Sequence, residues 1–327
     1  MINIETDINL ILKIYGVVLT FSTNSSELMK EIRKDFGSFE INIIPGKIDG
    51  SMRIIKIDRK FPLSIPKYAI RESFLPPASF IFNKSNLIFL EEKGKRIIKV
   101  DYEKNNILGY FKSPCDYSLF LRFLLKWMLI KSLEKKGIVF IHGSGVERDG
   151  QSLFFIGPSH FGKTYTLIIF LLNDYNLITD DTILFREDRV LPFSIRSNIH
   201  LNTFKQFPVL EKGLNDKSTR IPEIGWLIDL KSIFPFQENE VRPSKLFYIN
   251  IWNASETKIE AIPNKEMLAR LLHTYQIELD YTLYNLNKDK AMRNIFHDYN
   301  AFVDKANCYE VYAGSDESLF LRAIQAV

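Results

Sequence analysis

The eight residues Gly157-Pro158-Ser159-His160-Phe161-Gly162-Lys163-Thr164 constrain this chain more than any other stretch. They follow an apolar, β-type run from Ser152 to Ile156 and open a helix-compatible run from Lys163 to Leu172. Strand, loop and helix in that order make a phosphate-binding loop. Successive backbone N–H groups in such a loop, with the positive end of the helix behind them, cradle the β- and γ-phosphates of a nucleotide. Lys163 adds a mobile positive charge, and the hydroxyl of Thr164 suits a magnesium ion that bridges the phosphates. Asp180 and Asp181 stand 16 and 17 positions after Thr164, at the end of the next apolar run. A carboxylate near Mg²⁺ and an alcohol is the equipment of phosphoryl transfer, whose loose transition state needs positioning and charge neutralisation above all.

At 327 residues the chain is long for one core and fits two domains. Its 46% hydrophobic and 25% charged residues exclude extended disorder. The net charge of +4 is spread over many positions, so neither a nucleic-acid partner nor a membrane surface is expected. Cys115 and Cys308 lie far apart and without metal-ligand spacing, which fits a reducing compartment and packing roles. The opening residues 1–7 lack the basic region and cleavage site of a signal peptide. The most apolar segment, Ser118 to Ile130, is too short to span a bilayer, carries Arg122 and Lys126, and reads as a buried amphipathic helix. A cytoplasmic protein without a membrane partner is the expectation.

Two regions of different texture are legible. Residues 1–112 read as a β-rich N-terminal domain, with strands over Leu10 to Thr20, Ile41 to Ile44, Met52 to Ile57, Ser79 to Phe82, Leu87 to Leu90 and Arg96 to Val100. One helix, Ser26 to Phe36, interrupts them, and Pro62, Pro66, Pro76 and Pro77 mark a loop-rich middle. The region holds no cluster of catalytic residue types. Residues 113–327 read as a second, mixed α/β domain. Asp116 or Ser118 caps a helix that runs to about Lys136 and is ended by Gly137. Strands are expected over Ile138 to His142 and Ser152 to Ile156, with a tight turn at Arg148 to Gln151 between them. Tyr175 to Thr179 is a short strand ending in the two aspartates, and Thr182 to Arg186 is extended. Lys245 to Trp252 and Thr257 to Ile262 read as paired strands, followed by helices over Asn264 to Tyr275 and Glu317 to Ala326.

The stretch from His142 to Thr164, with Leu177 to Asp181 beyond it, resembles the catalytic core of the HPr kinase/phosphorylase family. His142 stands 21 positions before Lys163, and Asp181 stands 17 after Thr164, which is that family's spacing. The resemblance covers about Ile138 to Phe185, extends weakly through Ser244 to Tyr275, and leaves the first 110 or so residues uncovered. It implies a P-loop kinase domain related to the nucleotide domains of phosphoenolpyruvate carboxykinases, rather than the doubly wound sheet of ordinary P-loop NTPases. It implies ATP and Mg²⁺ as cofactors and a protein serine as acceptor. In its terms Asp181 is the general base that takes the proton of the acceptor hydroxyl, Asp180 helps to hold magnesium, and His142 orients the base or contacts a phosphate. Neighbouring strand residues point to opposite faces, so both carboxylates face the phosphates only if the strand has already turned. The order of their roles stays open.

Further residues are candidates for the same site. Arg196 is a phosphate contact by the fit of a guanidinium to phosphate oxygens, or a surface arginine. Asp216 to Gly225 resembles a basic stretch of HPr-kinase-like proteins, making Lys217 and Arg220 phosphate or acceptor contacts and Glu223 the counterpart of a metal-binding glutamate. One position departs from the pattern: the third variable loop position is usually glycine and here is His160, followed by bulky Phe161. If it requires positive φ, histidine adopts it at some cost.

A core of this kind behind a different N-terminal domain resembles the stand-alone kinases of peptide-maturation clusters, the lasso-peptide precursor kinases above all. That implies a serine on a peptide or small protein as acceptor, with recognition by the N-terminal region and homo-oligomeric assembly as further expectations. Two alternatives stay open: a bifunctional HPr kinase/phosphorylase, and a nucleotide-binding regulator without catalysis, which His160 and Phe161 suggest.

Overall fold

The N-terminal strands begin with a hairpin where one long strand is expected. β1 (Ile8–Ile14) and β2 (Val17–Thr23) pair antiparallel around Tyr15 and Gly16, both at positive φ (46° and 79°). Such a turn matches the twist of its strands, so the apolar run from Leu10 to Thr20 folds back on itself. α1 (Ser26–Phe36) is capped by the Ser25 hydroxyl, which accepts from the Leu28 amide. It carries the chain to β3 (Gly50–Lys56), parallel to β2. Then come β4 (Ile70–Ser73), β5 (Ser79–Phe82), β6 (Leu87–Glu92), β7 (Arg96–Asp101) and β8 (Asn106–Phe111), completing a sheet of order β1-β2-β3-β8-β7-β6-β5-β4. Residues 41–43 are not a strand.

The computed structural model describes residues 7–43, 46–67, 70–73, 79–82, 87–92, 94–101, 103–112, 117–280 and 288–327. Ile44, Pro76, Pro77, Cys115 and the cap candidate Asp116 lie outside them.

α2 (Tyr117–Glu134) packs on β2, β3 and α1. Leu121, Leu124, Leu125, Met128 and Leu133 are buried there. Asn105, itself buried at φ 55°, donates its amide to the carbonyls of Asp49 and Met128 and to the Ser132 hydroxyl, tying the β7–β8 turn to this helix. The chain divides into two compact units, Met1–Gly137 and Ile138–Val327. The expected boundary at 112/113 precedes this division by 25 residues, a stretch that includes α2, which packs on β2 and β3 of the first unit's sheet.

In the second unit β9 (Val139–Ile141), β10 (Gly143–Arg148) and β11 (Gln151–Ile156) precede α3 (Lys163–Leu171). β12 (Asn176–Thr179), β13 (Ile183–Arg186) and β14 (Arg189–Leu191) follow, then β15 (Ser197–His200) and α4 (Leu201–Gln206). β16 (Thr219–Ile221), β17 (Gly225–Ile228), β18 (Lys245–Ile251), β19 (Lys258–Ala261) and α5 (Asn264–Asp280) lead to α6 (Lys288–Val303), β20 (Asn307–Ala313) and α7 (Glu317–Gln325). The central sheet has the order β12-β10-β11-β18-β20-β19, with β11, β18 and β20 parallel. Smaller sheets run β14-β13-β9 and β15-β17-β16. The expected pairing of Lys245 to Trp252 with Thr257 to Ile262 is corrected: β20 lies between β18 and β19 and pairs with both.

The core of this unit wraps α3. Leu167, Ile168, Ile169, Phe170 and Leu171 are all buried, each such side chain stabilising the fold by about 1.5–3 kcal/mol. Phe155 of β11 meets Phe170 at 5.1 Å and Phe247 of β18 at 5.8 Å. Cys308 is buried on β20, and burial, with Asp304 nearby, pushes its thiol up to about 12. It is a packing residue, not a nucleophile. Among the described residues no helix is long and apolar enough to cross a membrane. The molecule is thus mixed α/β with several sheets.

Candidate phosphate-binding and catalytic site

The loop Gly157 to Thr164 joins the end of β11 to the start of α3, in the order that its sequence requires. Gly157 has φ 145°, and a Cβ there would lie 2.9 Å from the Ile249 carbonyl of β18, so only glycine lets the loop leave the sheet. Gly162 caps α3 in the left-handed region at φ 82°. His160 is left-handed too, at φ 69°, which is the conformation a glycine at that position would adopt freely. Its ring is exposed and meets His200 edge-on, with centroids 5.3 Å apart. Phe161 is half-buried, and its amide closes a turn onto Pro158. The Lys163 ammonium donates to the carbonyls of Gly157 and Pro158, both at 2.9 Å, and so stands in the crook of the loop.

Two chain corners bring the remaining groups to this loop. β9 and β13 pair in a small sheet, while β10 and β12 pair in the central one. Both chain passages therefore bend from one sheet to the other at the same level. His142 occupies the first corner, between Ile141 and Gly143; Asp180, Asp181 and Thr182 occupy the second. A bulge at Ile178 precedes this corner, since Gly145 opposes Thr179 while Val146 opposes Leu177. Bulges bend strands and re-aim side chains next to sites. The Thr179 hydroxyl donates to the Thr182 carbonyl at 2.5 Å and holds the corner closed.

The corner resolves how two adjacent carboxylates serve one site. β12 has ended at Thr179, and Asp181 lies at φ 59°, so the strand's alternation no longer applies. Asp180 is buried, and its Oδ1 accepts from the Thr164 hydroxyl at 3.3 Å. Asp181 is half-buried and lines a pocket of 390 Å³ together with His142, His160, Lys163 and Thr164. Ser144 of β10 ties the hairpin to the loop helix by donating to the Lys163 carbonyl at 3.4 Å.

Hard cations that bridge phosphates take oxygen donors and keep several waters. The Thr164 hydroxyl and the Asp180 carboxylate, in contact beneath the loop, fit that requirement. No group of three or more His, Cys, Asp or Glu with metal-binding geometry occurs among the described residues. Glu223 is exposed at φ 63° in the turn between β16 and β17 and is not in the pocket lining. Arg196 is 1% exposed and donates to the Lys217 carbonyl and the Thr219 hydroxyl at 2.9 and 2.8 Å. It is no surface arginine, and it too is absent from the lining. Lys217 and Arg220 are exposed, with the Arg220 guanidinium over the Trp226 ring at 6.0 Å.

One wall of the pocket is not foreshadowed in the sequence. β15 and α4 supply Asn198, His200, Asn202 and Thr203. No motif marks them; amide and hydroxyl side chains at a strand-to-helix junction are common. Tyr165, the residue after Thr164, also lines the pocket. Its hydroxyl donates to Glu317 of α7, and burial together with that carboxylate pushes its pKa up. Its ring packs on Phe207, beyond α4, with centroids 5.0 Å apart.

No family model matches this chain, and no curated protein matches it.

Proposed function

We propose that this chain is an ATP- and Mg²⁺-dependent, HPr-kinase-like serine kinase that phosphorylates a peptide or small protein in the cytoplasm. One observation carries the reading: His142, Lys163, Thr164 and Asp181, distant in sequence, line a single pocket, with Asp180 bonded to Thr164. Anion-binding loop, cation-holding oxygens and a further carboxylate in the same pocket are the parts that transfer of a phosphoryl group to an alcohol requires. The same parts without a second carboxylate would suffice for binding alone.

In this mechanism the loop amides and Lys163 hold the β- and γ-phosphates and neutralise charge as it develops. Thr164 and Asp180 would hold magnesium, which when bound supplies charge neutralisation across the phosphates. Asp181 accepts the proton of the serine hydroxyl. The serine oxygen forms its bond to the γ-phosphorus as the bond from that phosphorus to the β,γ-bridging oxygen breaks, and ADP leaves. His142 at the neighbouring corner orients the base. A precursor peptide of the lasso type is the acceptor class that the resemblance favours.

The test uses γ-labelled ATP, Mg²⁺ and a panel of serine-bearing peptides and small proteins. Label transfer to serine is the expected result, with Asp181→Asn losing it while keeping nucleotide binding. Unchanged transfer by that variant removes Asp181 from the base role, and binding without transfer across the panel favours a non-catalytic regulator.

A further inference from the structure

The pocket has more lining than phosphates and an acceptor hydroxyl need. In a phosphate-binding loop the lysine and the cation-binding hydroxyl mark the terminal phosphates. Here those groups stand with the His142 and Asp181 corner, so the reacting end of the nucleotide belongs there. The rest of the lining, Asn198, His200, Asn202 and Thr203, comes from one continuous segment, β15 and the start of α4.

That segment reaches the loop at two points. His200 meets His160 within the loop, at 5.3 Å, and Phe207, just beyond α4, meets Tyr165 at the start of the loop helix, at 5.0 Å. It therefore follows the stretch along which a bound phosphate chain runs. Its chemistry differs from that of the loop. Two carboxamides and a hydroxyl carry both donors and acceptors without charge, which suits a neutral partner that itself presents donors and acceptors. The Asn198 side-chain oxygen is buried and has no hydrogen-bond partner among the described residues. A buried acceptor in that condition is costly unless a ligand donor meets it. The His200 imidazole and the Tyr165 ring add flat surfaces beside these groups.

We propose that the β15–α4 wall is the nucleoside subsite: Asn198, Asn202 and Thr203 hydrogen-bond the ribose hydroxyls and the base edge, while the loop takes the phosphates. This rests on the nucleotide-dependent kinase reading and adds the residues that tell a nucleotide from a bare polyphosphate. Neutral groups with paired donors and acceptors match a ribose and base. The acceptor hydroxyl has its place at the Asp181 corner instead.

Calorimetry with ATP and with inorganic tripolyphosphate separates the two halves of the ligand. The full chain should bind ATP at least tenfold more tightly than tripolyphosphate, the gain of roughly one to two good hydrogen bonds. Asn202→Ala combined with Thr203→Val, and separately Asn198→Ala, should remove most of that difference and leave tripolyphosphate affinity unchanged. Retained tripolyphosphate binding also shows that the variants are folded. Equal affinities of the wild type for both ligands, or variants that weaken both in parallel or neither, overturn the nucleoside subsite alone. Failure of the wild type to bind either ligand overturns the nucleotide reading together with it.

Discussion

His160 and Asp181 are the two non-glycine residues of the pocket lining whose backbones leave the ordinary regions, at φ 69° and 59°. Histidine and aspartate tolerate the left-handed conformation, whereas a β-branched residue does not. His160→Val should therefore lower stability by about 1–2 kcal/mol in urea unfolding, and His160→Gly should not. Equal stability of the two variants would mean that the loop does not hold this conformation in solution. At this scale the sequence is most legible along the stretch that carries the family resemblance. The intervals from His142 to Lys163 and from Thr164 to Asp181 point to one site, and the chain brings all four residues to it. How the paired aspartates share the work is not legible, because it depends on the bulge at Ile178 and on a turn that begins one residue after Thr179. No local pattern announces either.

Arg196 shows what a residue type hides about its element. A guanidinium near a phosphate site suggests an anion contact, yet this one is enclosed and bonded to the segment around Lys217 and Thr219. Arg196→Ala should cost about 3 kcal/mol or more of stability, since it removes two hydrogen bonds of a buried guanidinium and opens a cavity where that side chain is enclosed. ATP affinity should change little in the folded fraction. A variant of native stability with weakened ATP binding would restore the phosphate role. α2 carries a second element-scale prediction. Lys131 is buried on this helix, and burial, more than the nearby Lys135, lowers its pKa to about 8. In the unfolded chain the ammonium keeps its ordinary, higher pKa, so between pH 8 and that value the unfolded state binds more protons. Stability gained from this group therefore rises with pH across that window, and below it the cost of the buried charge is present in full. Lys131→Met should raise stability at neutral pH and flatten this rise relative to the wild type. A parallel pH profile for both proteins would rule out the buried charge as its source.

Over the whole molecule, local periodicity recovers α1, β5, β11 and α7 nearly residue for residue, while β10 is not expected as a strand. It fails where partners are distant. β20 enters between β18 and β19 from the far end of the chain, and α2 belongs with the strands before it. Pairing of that kind is set by which surfaces are left to bury, not by the pattern of the strand itself. The pocket reflects the same split: the motif-bearing walls are legible, the β15–α4 wall is not. What joins them is one claim, that binding and chemistry are divided between the loop and the corner within a single pocket. The direct measurement compares nucleotide affinity and phosphoryl transfer to serine in the wild type, Lys163→Ala and Asp181→Asn. Lys163→Ala should lose both; Asp181→Asn should bind ATP as the wild type does and transfer at least a hundredfold more slowly, the scale of a lost general base. Wild-type transfer by Asp181→Asn, or loss of ATP binding equal to that of Lys163→Ala, would contradict it.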